Sequence, residues 1–245
     1  MAVYLTGDTH GRFKRIRSFC RRMELTEDDV VVVLGDAGLN YFLDERDNRA
    51  KRRLAMLPNK FLFIHGNHEE RPFNVPGYHE AAAFGGAVFV EDDYPNILFA
   101  KDGEVYDLDG TRCIAIGGAY SVDKDYRLMC GWHWFASEQP DNEIKARVEA
   151  TLDAVGWDVD VVLSHTVPLR YEPVEAFMSG VDQSKVDKST EEWLGRIEAR
   201  LSYRRWYAGH YHIQKQIDRL RIMFEDWDLL WPNEGTDFEQ QAGQR

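Results

Sequence analysis

Cysteine is scarce in this chain: three among 245 residues, Cys20, Cys113 and Cys130, and no two are spaced as a metal-binding pair. That excludes a disulfide-stapled scaffold and a thiolate zinc site, and three isolated thiols suit a reducing compartment. Long apolar runs are missing as well. The longest, such as residues 30–34, fall far short of the roughly 20 residues that a membrane span needs. The opening MAVYLTGDTH runs straight into a strand pattern, without the basic and apolar regions of a secretory signal, so a cytoplasmic, membrane-free protein is expected. Basic residues are outnumbered, 30 against 42, giving a formal charge of −12. That disfavours non-specific gripping of nucleic acid, which needs a broad basic surface to release counterions. It leaves room for a small molecule, a nucleotide or a nucleic-acid end held at a small positive site.

Hydrophobic residues make up 44% of the chain and aromatics 13%, ample for a large core. Short β-branched runs alternate with amphipathic stretches. Strands are predicted at residues 3–5, 30–34, 61–64, 159–164, 206–208 and 217–224, with helices at 12–23, 44–57, 142–155 and 190–201. The alternation predicts an α/β fold, a two-sheet β-sandwich flanked by helices. One domain is expected over residues 1–231. A β-rich middle, about 71–139, carries loops over the site, and a flexible tail occupies 232–245. The irregular stretch 166–188 is long enough to be a functional loop.

Eight histidines are present, and five of them cluster at predicted strand ends. Asp8 and His10 follow the first strand in TGDTHG, Asp36 the second in LGDAG, and Asn67 and His68 the third in HGNHEE. His165 follows a later strand in LSHT, and His210 and His212 follow another in GHYH. In open α/β sheets the carboxyl ends of strands are where loops converge and ligands bind. Gly7, Gly35, Gly66 and Gly209 are read as sharp turns out of the sheet. Gly-His-x-His and Gly-Asn-His are each expected by chance about 0.02 times in such a chain, so their joint presence argues for a shared site.

Asp8-x-His10, Gly35-Asp36, Gly66-Asn67-His68-Glu69, His165 and Gly209-His210-x-His212, in that order, resemble the calcineurin-like metallophosphoesterase superfamily. The strings GGAYSVDKDYRL and SHTVPLRYEP further resemble a bacterial and prophage-borne branch of it. The resemblance implies one metal on Asp8, His10, Asp36 and His212, and a second on Asp36, Asn67, His165 and His210, with Asp36 bridging. His68 stays off the metals as general acid. One departure stands out. Where the protein Ser/Thr phosphatase branch has a second aspartate, to orient the catalytic histidine, this chain has Leu39. Asn40 or Glu69 takes over that task, or nothing does.

Imidazole, carboxylate and amide donors together suit Mn²⁺, Fe, Zn²⁺, Ni²⁺ or Co²⁺, with Mn²⁺ preferred here. Two such ions clamp a phosphoryl group and ionise a water between them. The expected activity is hydrolysis of phosphomonoesters, phosphodiesters or both, by attack of that ionised water with His68 protonating the leaving group. The rival is a phosphoesterase-fold interaction scaffold without turnover, which would be expected to have lost ligands; here every position is filled. A redox metal enzyme fits a bridging aspartate with asparagine less well. Arg12, Lys124 and Arg127 are candidate phosphate-gripping side chains, although Arg12 is equally an exposed helix residue. His65, His79 and His133 lack such a setting, with packing the default for His65 and His133, and the aromatic run 132–135 is read as core. The alternating charges of residues 44–53 read as a solvated helix face.

Overall fold

The computed structural model describes residues 1–230, so the expected flexible tail at 232–245 lies outside the described residues. In chain order the regular elements are β1 (Val3–Thr6), α1 (Lys14–Arg22), β2 (Val30–Val33), α2 (Glu45–Ala55), β3 (Lys60–Phe63), β4 (His79–Ala83), β5 (Gly86–Val90) and β6 (Ile97–Ala100). They continue as β7 (Val105–Leu108), β8 (Thr111–Ile116), α3 (Lys124–Met129), α4 (Asn142–Ala154), β9 (Val161–Ser164), α5 (Ser189–Glu198), β10 (Arg205–Ala208), β11 (Lys215–Ile217), β12 (Leu220–Ile222) and β13 (Asp228–Leu229). The strands form two sheets, ordered β13-β1-β2-β3-β6-β5-β4 and β11-β12-β10-β9-β8-β7. The expected two-sheet sandwich is what is found.

The apolar runs explain the layering. A strand covered on both faces reads as a continuous hydrophobic run, and β2 is Val-Val-Val-Val with all four residues fully buried. Alternate residues take opposite faces. Val3, Leu5, Val30 and Val32 join Ala115, Val161 and Leu163 of the other sheet in the central core. Tyr4, Val31 and Val33 face outward against Phe19 of α1 and Leu54 of α2. On the far side, Ile114 and Val162 of the second sheet pack on Val148 of α4 and Trp193 of α5. The four layers therefore run helix, sheet, sheet, helix.

Three features depart from the sequence reading. Residues 217–224 form no single strand but part of a hairpin, because Asp218 takes a left-handed φ of 52° between β11 and β12. The middle segment contributes β4, β5 and β6 to one sheet and β7 and β8 to the other, but also a short helix, α3. The aromatic run is only partly core: Phe135 is buried, Trp134 half-buried, and Trp132 and His133 exposed. His65 is buried as expected, while His79 lies exposed on β4.

A buried ion pair ties the sheets together beside the site. Arg71, a few residues past β3, is 2% exposed and pairs with Asp102. Its Nε donates to the Ser137 carbonyl at 2.8 Å, and Asp102 also accepts the Gly117 N–H just past β8. Removing one partner strands the other charge in the interior, at a typical cost of about 3–5 kcal/mol. Arg71→Met is therefore expected to lower unfolding free energy by roughly that amount in urea titration. A loss below about 1 kcal/mol would show that the pair does not hold the two sheets.

Candidate metal centre

Strands β1, β2 and β3 are parallel neighbours in one sheet, and β9 and β10 in the other. Their carboxyl ends therefore lie on one edge of the sandwich. Asp8 and His10 follow β1, Asp36 follows β2, Asn67 and His68 follow β3, His165 follows β9, and His210 and His212 follow β10. The sequence-predicted set is brought together. His10 Nε2 lies 2.8 Å from His212 Nε2, and His212 Nε2 lies 3.2 Å from Asp8 Oδ2. Asn67 Oδ1 lies 2.8 Å from His165 Nε2 and 3.0 Å from His210 Nδ1. Asp36 stands between the two groups, its Oδ2 3.8 Å from His10 Nε2 and its Oδ1 3.6 Å from His165 Nε2.

The backbone is bent to achieve this. His10, Asp36, His210 and His212 all have φ between 45° and 70°, the left-handed region that costs a non-glycine residue about 1–2 kcal/mol. Of the four glycines read as turns, only Gly35 has positive φ, at 95°. Gly7, Gly66 and Gly209 serve close approach instead. A Cβ on Gly209 would fall 2.3 Å from Asp8 Oδ1, and one on Gly66 would fall 2.1 Å from the Asp36 nitrogen.

The donor atoms fit cations better than they fit each other. His165 Nδ1 lies 2.8 Å from the Leu34 carbonyl, which only an N–H can satisfy. In a neutral ring that leaves Nε2 as a bare lone pair. The Asn67 amide is oriented by its NH₂ donating to Ser121 Oγ at 2.9 Å, so Oδ1 faces His165. Two lone pairs then meet at 2.8 Å with no proton to share. The two Nε2 atoms of His10 and His212 are as close. Asp8 Oδ2 is buried, with His212 Nε2 at 3.2 Å as the nitrogen that faces it. Divalent cations would resolve all three contacts, and His, Asp and Asn are the donors for them.

Charges inside the cluster are biased toward the ligand state. Burial alone would raise the Asp36 carboxyl, but His68, His165 and His10, with the His68 N–H, outweigh it and hold it below the usual range. Burial and the neighbouring His165 push His210 down to about 3, keeping its ring neutral. Burial, followed by Arg127, lowers His68.

No second aspartate is present to hold His68, and neither suggested substitute faces it. Leu39 points into the outer core. Asn40 Oδ1 accepts from the Tyr78 hydroxyl at 3.0 Å. Glu69 accepts backbone N–H groups from Ala37, Gly38 and Gly66, clamping the Asp36 and Asn67 loops together, and burial raises it to about 7. His68 Nε2 instead meets Arg127 Nη2 at 3.3 Å, and Asp123 holds the Arg127 Nε at 2.8 Å. Of the three candidate phosphate-gripping residues, Arg127 lines a cavity of about 520 Å³ together with His10, Asp36, Asn67, His68, His210 and His212. Arg12 lines a separate groove of about 390 Å³ beside Asp8 and His10. Lys124 lies over the Trp134 ring at 3.8 Å. Sequence reading missed Ser121 and Asp123, which no motif marks, and Arg15, whose guanidinium donates to the Gly7 and Asp8 carbonyls.

A family model described as calcineurin-like phosphoesterase matches residues 1–214. Comparison with curated proteins gives no match. Among solved structures, phosphopantetheinyl hydrolase from Mycobacterium tuberculosis is similar at 15% identity, with a TM-score of 0.49 over 91% of this chain and 88% of its own. A second crystal structure matches at 14% identity and TM-score 0.51, over 91% of this chain and 90% of its own. The protein of unknown function AQ665 from Aquifex aeolicus matches at 14% identity and TM-score 0.32, over 70% and 81%. At such identity the second of these likenesses is one of fold.

Cations in the cluster would pair these donor atoms without a proton, so occupancy should stabilise the fold. For chelator-treated protein, Mn²⁺ at a hundred times its Kd is expected to add about 2.7 kcal/mol. That raises the thermal midpoint by about 5–10 °C for a chain of this size. Asp36→Asn is expected to abolish most of the gain. No shift with Mn²⁺, Zn²⁺, Ni²⁺ or Co²⁺ would contradict a metal centre here.

Proposed function

The chain belongs to the calcineurin-like phosphoesterase family and is a phosphoric ester hydrolase, and on that premise we propose that it cleaves small phosphate esters or nucleotide ends at a two-cation centre with His68 as general acid. The supporting observation is the convergence of seven donors from five strand ends, with His10 and His212, and His165 and Asn67, each 2.8 Å apart at their donor atoms. Asp8, His10, Asp36 and His212 would hold one cation, and Asp36, Asn67, His165 and His210 the other. When bound, the pair supplies Lewis-acid charge at the phosphoryl oxygens and a water ionised at neutral pH, with Mn²⁺ the preferred ion.

The side chains around the centre define the remaining steps. Asp36 Oδ1 accepts the His68 N–H at 2.8 Å, which fixes the acid on the same loop that carries Asn67. His68 Nε2 faces the cavity, 3.8 Å from Asp36 Oδ2. As the water oxygen bonds to phosphorus and the ester P–O bond breaks, the Nε2 proton passes to the departing alkoxide, releasing alcohol and phosphate. Arg127 Nη2 lies 3.3 Å from His68 Nε2. A phosphoryl oxygen is the stronger acceptor for its guanidinium, so substrate draws Arg127 away and leaves Nε2 free to carry the proton. Lowered basicity, from burial and then Arg127, makes His68 a better proton donor once charged.

Among the described residues no helix is long and apolar enough to cross a membrane. The formal charge of −12 supports small anionic substrates drawn to a local positive site over a polyanion gripped along its length.

A positioned acid matters most when the leaving group is poor. His68→Ala is expected to slow alkyl phosphates by about 10²–10⁴-fold and nitrophenyl phosphate far less. Steady-state assays on both ester classes check this, and equal losses would remove His68 from the acid role.

A further inference from the structure

The cavity above the candidate ligands has walls that the hydrolytic chemistry does not use. Phe177, Met178, Val181 and Val186, from the irregular stretch before α5, line it together with Ile213. Tyr211 lines it too, its ring near-parallel to Phe177 at 20° and 6.4 Å between centroids. Beside this apolar wall the cavity is also lined by Glu191 on the first turn of α5, which is 4% exposed. Its Oε1 accepts the Thr166 hydroxyl at 2.8 Å, while its Oε2 is buried with no hydrogen-bond partner. Lys188, close enough to bias Glu191, gives its ammonium to Glu172 at 2.7 Å.

A buried acceptor left without a donor costs about 1–3 kcal/mol, and more when ionised. Sites built to hydrogen-bond a ligand carry this kind of unmatched group in an otherwise apolar pocket. Asp123 is paired with Arg127 and Glu172 with Lys188, so Glu191 is the acidic group of this wall that repels an anionic substituent, and Arg127 is the one Lys or Arg among the described residues of the lining. Near-parallel aromatic faces favour a flat group.

We propose that Glu191 reads the organic part of the phosphoester: the cavity takes a flat, uncharged, largely apolar group of the nucleobase kind that offers one N–H donor to Glu191 Oε2. This rests on the hydrolytic reading for the position of the phosphate, but not for the recognition itself. Glu191 is a specificity-determining residue in this account and takes no part in bond breaking.

The test is equilibrium binding of two nucleosides without phosphate, adenosine and purine riboside, which differ by one exocyclic amino group. Isothermal titration uses the full chain loaded with Mn²⁺ at about pH 8, where Glu191, raised by burial to about 7, is ionised. Adenosine is expected to bind about tenfold more tightly, as a hydrogen bond to a charged acceptor predicts. In Glu191→Gln an amide NH₂ takes the place of Oε2, and the ratio is expected to fall to about one or below. Glu191→Leu, which removes the acceptor outright, is expected to do the same. Equal affinity in the parent protein, no binding of either nucleoside, or a preference that survives both variants would overturn the proposal. Nitrophenyl phosphate turnover, measured in parallel, separates the two claims. Turnover without nucleoside preference sinks only this inference, and preference without turnover sinks only the hydrolytic reading.

Discussion

Asp36 holds the site together through its main chain as well as its side chain. Its carbonyl accepts the N–H groups of Thr9 and His10 at 3.1 and 2.8 Å, which places the first loop. Its Oδ1 accepts the His68 N–H, which places the third. The same carboxylate faces His10 with one oxygen and His165 with the other. It does all this at a φ of 47°, a strained conformation that persists because both neighbouring loops are bonded to it. The second sheet is attached at the same point: Leu34 accepts from His165 Nδ1, and Asp8 Oδ1 accepts from the His210 N–H at 3.0 Å. The site and the packing of the two sheets are one construction.

That construction gathers like with like. The lone pairs of His165 and Asn67 face one another in the buried half of the cluster, which is unfavourable without a cation, while His10 and His212 meet beside the buried Asp8 at its exposed edge. Two carboxylates against two dications would leave a formal excess of about two positive charges. A chain of net charge −12 would then present one small positive focus to an anionic substrate.

Much of this was legible in the sequence, for a physical reason. The candidate ligands follow the ends of parallel strands by one to four residues, so Gly-Asp, Gly-Asn-His and Gly-His-x-His follow apolar runs closely enough to be read together. The α/β sandwich was legible for the same cause, since doubly covered strands such as Val30–Val33 are continuous apolar runs. What the sequence hid were contacts between segments distant in the chain. Gly66 and Gly209 read as turns, yet they are needed because another backbone or carboxylate passes where a Cβ would stand. Leu39 read as a gap in a catalytic motif, but it is a core residue, and the partner of His68 comes from α3, about 60 residues later, in a stretch without clear periodicity. Glu191 looked like an ordinary acidic residue on a helical first turn. Only its burial in the cavity lining, with Oε2 lacking a hydrogen-bond partner, sets it apart.

The central claim is that one carboxylate is shared by two cations, and anomalous diffraction from crystals grown with Mn²⁺ tests it most directly. The account expects two peaks about 3.5–4 Å apart, one on each side of the Asp36 carboxylate, the first near His10 and His212 and the second near Asn67, His165 and His210. A single peak, or two peaks with Asp36 bound to neither or to only one, would contradict it.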